Sequence, residues 1–398
     1  MHLSYLRSHV RFTLFVLFLA SLALLLGPSP RAWAGDEHDA AGHVYVLNNN
    51  LSSANSITVF NRADDGSLAL AGTTAIGGLG SLSAFADGTQ GSLIITPERK
   101  RLFAVDAGSN QISVVNVHDG QLALAGVFPS GGAGPVSLTY QDGLLYVLNA
   151  ANGSTEAANV TGFRVDRAGR LHPIADSTRP LSAPHPNPAQ VQIAPSGRFL
   201  LVTEKATNLI DVYQIGRDGS LSGPTTFPSV GDYPFGMAFN PVKPRQFVVA
   251  DAGSPPTFLG AATAYRLVDG NVRLINGPVP DGQIAPCWMV ITRDGRFAYT
   301  SNADSQSISG YRIEENGKIS LLNANGVTGT TPADTFPIEE ALSRNSRYLY
   351  VLDTRLLLTP PGPATLSGFR IRQNGRLSSV VDEAQIVLPF SAIGLAAE

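Results

Sequence analysis

Hydrophobic positions along this chain fall in short runs of period two, with no helical period anywhere. Residues 189–193 form an extended run, residues 199–203 a strongly apolar one and residues 209–215 an alternating one, and one more short run opens at Leu221. Turn signals separate them. Pro195-Ser196-Gly197 follows the first run, a polar loop the second, and Asp218-Gly219 the third. The pattern predicts four strands joined by tight turns.

That unit recurs. Pro135, Pro188, Pro234, Pro286, Pro337 and Pro389 open equivalent strands at intervals of 46 to 53 residues, and Gln90 takes the same place 45 residues before Pro135. Second strands line up at residues 44–47, 102–105, 145–148, 200–203, 247–250, 297–301 and 348–352. Most repeats end in Asp-Gly or Asn-Gly, as at Asp65-Gly66, Asp119-Gly120, Asn316-Gly317 and Asn374-Gly375. These pairs supply the positive φ of a two-residue hairpin. Seven such units predict an all-β, seven-bladed β-propeller of four-stranded blades. The first unit lacks an innermost strand, because His43 already lies in a second strand. Residues 386–393 are expected to supply it, so that the C-terminal strand completes blade one and closes the ring. Enlarged connections at 150–158, 254–262 and 354–363 share a face with the entries to the innermost strands. That face is the expected functional one.

Composition changes the picture in three ways. A charge of −3 gives no reason to expect nucleic acid or an anionic membrane as partner. Arg7 and Arg11 precede an apolar run at residues 12–26, then Ala32-Trp33-Ala34. This reads as a cleaved signal peptide, residues 1–34, ahead of a single propeller domain, residues 35–398. The expected destination is secreted or periplasmic, with no membrane association after cleavage. Cys287 is the only cysteine, which excludes an intramolecular disulfide, and its apolar strand suits a buried, inert thiol.

The Pro-Ser-Gly-Arg-Phe turn at 195–199, its relative at 293–297, and the Tyr-Val-Leu-Asn/Asp strands at 45–48, 146–149 and 350–353 resemble those of lactonase-type seven-bladed propellers. That family includes bacterial 6-phosphogluconolactonase and fungal carboxymuconate-lactonizing enzyme. The resemblance implies a lactone-hydrolysing or isomerising site at the channel mouth. The family carries Pro-His-x-His at one innermost-strand entry. Here Asn187 and Ala189 hold the histidine places, and His185 lies two residues upstream. Glu204 matches the family's aspartate, with Lys205-Ala206 in place of Leu-Gly. In the next blade Pro234-Phe235-Gly236 stands for Pro-Arg-His, and Asp251 matches the acid that follows.

Polar residues close every second strand: Asn48, Asp106, Asn149, Glu204, Asp251, Asn302 and Asp353. A role repeated by every blade points to loop capping. Only Glu204 and the shifted Asp251 depart from it. His185 is the one histidine at an innermost-strand entry and the expected general base. Glu339 and Glu340 interrupt an innermost strand, and Glu340 holds a place that is apolar in the other blades. The expected catalytic set is therefore His185, Glu204, Asp251 and Glu339, with Asn187, Gln190, Trp288 and Glu340 binding substrate. No zinc spacing, phosphate loop or EF-hand run is present. The reading takes no cofactor and leaves a divalent metal open. Two functions remain: a lactone hydrolase or cycloisomerase acting on a small molecule as a monomer, and a binding or scaffolding propeller that has lost the family's site.

Overall fold

Seven antiparallel sheets account for the strands of the computed structural model, which describes residues 42–82, 90–151, 153–382 and 385–398. The expected signal peptide lies outside the described residues. Each sheet is a blade in which consecutive strands pair from the axis outwards, and the innermost strands of successive blades touch around the ring. The arrangement is a seven-bladed β-propeller, and among the described residues the one complete helical element is a single 3₁₀ turn at Ala303–Ser305. Among the described residues no helix is long and apolar enough to cross a membrane.

Blade 4 shows the plan. Its strands are Pro188–Ile193, Phe199–Glu204, Leu209–Ile215 and Leu221–Pro228, in that spatial order. The two middle strands are buried on both faces because neighbouring blades pack against them, which explains their almost continuous apolar runs. Two of the recurring motifs meet between blades. The second-strand tyrosines Tyr146, Tyr299 and Tyr350 donate to the carbonyls of Gly219, Gly375 and Gly66, each in the hairpin turn of the following blade.

The ring closes as expected, but with a different strand. Gly394–Ala397 pairs with Gly42–Leu47 and completes blade 1. Residues 386–393 form no innermost strand. Leu388 instead bridges to Ala364 at the outer side of blade 7. The equivalent of the strand-opening proline is therefore Ala392, not Pro389, and the pair matching Glu339-Glu340 is Gly394-Leu395 in place of Ser391-Ala392. A second correction concerns Asp251. It pairs with Pro234 as Glu204 pairs with Pro188, so it closes its strand, Gln246–Asp251, in register with the rest.

Candidate functional site

The polar residue that closes each second strand is held by a group on the third. By register, that group stands opposite the residue two places before the closing one, except in blade 3, where the Asn149 amide donates to Asn159 at 2.9 Å. The seven places hold Thr58, Ser113, Thr161, Asp211, Thr263, Ser309 and Ser367. Ser113 donates to Asp106 at 2.7 Å, Thr263 to Asp251 at 2.5 Å and Ser367 to Asp353 at 2.5 Å. The Asn302 amide donates to Ser309 at 2.9 Å. Asp251 thus belongs to the repeated caps, and burial raises it well above the ordinary carboxyl range.

Blade 4 alone has no hydroxyl at this place. Asp211 replaces the hydroxyl, and the closing residue is the longer Glu204; both are fully buried. Glu204 accepts from the Ser182 amide at 3.0 Å, from the Ser182 hydroxyl, and from Thr207 at 2.5 Å. Its carboxyl turns to the loops of its own blade. Sequence reasoning missed Asp211. The available signal was a charge at the third-strand place that the other six blades fill with serine or threonine.

Along the axis the innermost strands present Gly394, Ser92, Ser137, Gln190, Gly236, Trp288 and Glu339 at one level. Hydrogen bonds tie this level together. Gln90 reaches from the start of blade 2 to blade 6, where its side chain accepts from the Met289 amide at 2.9 Å and donates to the Met289 carbonyl at 2.8 Å. Gly236 leaves room for it, since an added Cβ there would come within 2.1 Å of the Gln90 oxygen. Gln190 accepts from the Met237 amide at 2.5 Å. Glu339, at φ +51°, reaches blade 2 and accepts from the Gly91 amide at 3.1 Å and from the amide and hydroxyl of Ser92. Burial pushes Glu339 up to about 8 against those bonds. Glu340 is also buried, and neither of its carboxyl oxygens has a hydrogen-bond partner among the described residues. Burial, then the Glu339 charge, raises it well above the usual range. The role of Gln90 was also missed, although its departure from proline at a strand-opening place was visible.

On the face of the second-to-third connections, blades 4 to 6 bring a different set together. Asn187, at φ +51°, gives its amide to the Tyr233 hydroxyl at 3.2 Å, while its own buried carbonyl oxygen has no hydrogen-bond partner among the described residues. The Asn187 backbone carbonyl accepts from the Lys205 amide at 3.1 Å. The Lys205 side chain is buried, with its Nζ 4.6 Å from the Phe235 ring centre, and the Phe235 ring lies 5.2 Å from that of Trp288. Cys287 precedes Trp288 ahead of the short innermost strand Val290–Ile291, its thiol pushed up to about 12 by burial and therefore inert. His185 is exposed on the segment that carries Asn187, which is pinned by bonds from Ala158 to the Pro184 carbonyl and from Ala206 to the Pro186 carbonyl. A buried cation, an amide oxygen and an aromatic floor suit a small polar molecule with a carbonyl or carboxylate group. Of the eight expected residues, this patch unites Asn187, Trp288 and the segment of His185. Glu204, Asp251 and Glu339 are each engaged elsewhere in the scaffold. Among the described residues no cluster of three or more histidine, cysteine or acidic residues could hold a metal ion.

The model of the lactonase seven-bladed β-propeller family matches residues 91–254. No curated protein matches the sequence. Solved structures do. One, described as a putative 6-phosphogluconolactonase from Bacteroides uniformis, shares 16% identity with a TM-score of 0.70, covering 90% of this chain and 99% of that one. The periplasmic gluconolactonase of Pseudomonas aeruginosa shares 18% identity with a TM-score of 0.66, covering 90% of this chain and 98% of that one. A protein from Lactobacillus plantarum shares 15% identity with a TM-score of 0.69, covering 90% of this chain and 99% of that one. These identities carry the fold. With the family match they support a lactonase-type seven-bladed propeller.

Proposed function

We propose that this protein is an exported lactonase-like propeller that opens a small, unphosphorylated lactone on the face formed by blades 4 to 6. One observation carries the reading: the buried Lys205 side chain lies over Phe235, and its backbone amide bonds the Asn187 backbone carbonyl on the segment that carries His185, where the Asn187 side-chain oxygen has no hydrogen-bond partner among the described residues. In the family motif the cation at this entry is the arginine at the place of Phe235, and here lysine stands nearby. The chemistry needs no cofactor. Water attacks the carbonyl carbon as His185 takes its proton, Lys205 stabilises the oxygen that gains charge, and the ring C–O bond breaks as the proton passes to the leaving oxygen. Trp288 and Phe235 form the apolar floor. A panel of five- and six-membered lactones, followed by acid release, tests this. His185→Ala is expected to lower turnover by about 10²–10⁴-fold. The periplasmic relative and the N-terminal apolar run support export.

A second reading has its own support. Glu204, Asp251 and Glu339 are all bound within the scaffold, so the exposed His185 is the only base left from the expected set. The alternative is a binding propeller for the same class of molecule. Saturable lactone or aldonate binding by the wild type, with no hydrolysis and no effect of His185→Ala, would establish it.

A further inference from the structure

The Glu204–Asp211 pair has a chemistry that the repeated caps lack. Six blades place a hydroxyl at this point, which can donate to the closing residue. Asp211 can donate only if it carries a proton. Its Oδ1 is fully buried and finds no donor among the described residues, while Glu204 stands against it. Glu204 already accepts from three donors, on Ser182 and Thr207. One proton on Asp211, directed at Glu204, would satisfy both groups.

Among the described residues, the other charged and titratable groups near the pair make contacts of their own. On the third strand, Tyr213 faces Asp211 at 3.5 Å but donates at 2.8 Å to the Pro180 carbonyl, and burial raises it far above its usual range. The segment after blade 3 presents Ser182, and the loop after the second strand presents Thr207. Lys205, next in sequence to Glu204, turns to Phe235, and Arg179 donates to the carbonyls of Leu221 and Thr178. Burial, reinforced by the Glu204 charge, pushes Asp211 up to about 8.

We propose that Glu204 and Asp211 hold a single proton between them, and that this proton fastens residues 181–187, the segment bearing His185, to blade 4. The segment is then held tightest in acid and loosens as the pH rises. The sign follows from linkage. When the segment opens, Asp211 meets water and ionises near its ordinary 3.8; when closed, it keeps its proton until about 8. Between those limits the opening equilibrium grows by about tenfold per pH unit, and above them it levels off.

Amide hydrogen exchange of the purified protein, corrected for intrinsic base catalysis, measures this in residues 182–187. The corrected rate is expected to climb across that range in the wild type. It should stay within about twofold in Asp211→Thr, which restores the hydroxyl of the other blades. Carbon-13 carboxyl titration of the unmutated protein gives an independent reading that needs no variant to fold, with one carboxyl of the pair titrating near 8. Both carboxyls titrating below about 5, or a flat exchange profile in the wild type, overturns the proposal. So does an alkaline wild type whose segment is re-protected by millimolar Ca²⁺, because the pair would then be a cation site.

Discussion

The hydroxyl of Tyr350 donates to the carbonyl of Gly66 at 2.8 Å, joining residues 284 apart in sequence. It ties blade 7 to blade 1, where the ring must close. Tyr350→Phe keeps the buried ring and leaves that carbonyl without this donor. The expected cost is about 1–2 kcal/mol, measured by denaturant unfolding. An unchanged unfolding midpoint would count against a closing role.

Adjacent glutamates should behave oppositely. Glu339 accepts three bonds from blade 2, so Glu339→Ala strands buried donors and is expected to cost about 2–4 kcal/mol. Glu339→Gln keeps the acceptor and should cost little. Glu340 lacks hydrogen bonds to its carboxyl oxygens among the described residues, and Leu138 holds the same place in blade 3. Glu340→Leu is expected to stabilise by about 1–3 kcal/mol. A destabilised Glu340→Leu protein would show that this carboxyl has partners in solution.

Acid should stabilise this protein over an unusually wide range. Burial pushes Asp106 up to about 7 despite its bonds from Ser113 and Asn55. Unfolded, the same group ionises near 3.8. Its raised value means that stability falls as pH rises from about 4 to about 7 and then levels, by about 1.4 kcal/mol per pH unit for one group. Asp106→Asn should remove that part of the slope while leaving any lactone activity or ligand binding intact. The check is a series of melting curves from pH 4 to 8, and parallel wild-type and variant profiles would refute it.

Deleting residues 393–398 removes Ile393, Leu395 and Ala396 from the core and exposes the edge of Gly42–Leu47. The two large side chains alone are worth about 3–6 kcal/mol as an upper bound. Loss of the bonds that His43 and Tyr45 make to Glu398 adds to it. Unfolding at unchanged denaturant concentration would refute the closure.

The blades were legible because strand period and turn chemistry agree in repeat after repeat. The closing strand misled for a physical reason. Ile386, Val387, Leu388 and Phe390 are the more apolar run, yet Val387 and Phe390 are exposed. The true strand needs small residues beside the axis. A Cβ added at Gly394 would sit 2.8 Å from the Ser92 hydroxyl and from the Leu93 Cβ. The site was less legible because it depends on directions, not residue types. Glu204 lies where the family motif puts an acid, but its carboxyl faces Ser182 and Thr207. Lys205, which replaces a leucine, delivers the buried charge.

The Gln90 crossing also decides traffic. Ser92, Ser137, Gln190, Trp288 and Glu339 would line an open bore, and all are buried. With Gln90 bonded to Met289 across the ring, a side chain bridges the axis at this level. A molecule entering from the face bearing His185 would meet that bridge and leave by the same door. Product and fresh substrate would then compete for one passage, and the vacated place would refill only as fast as it empties.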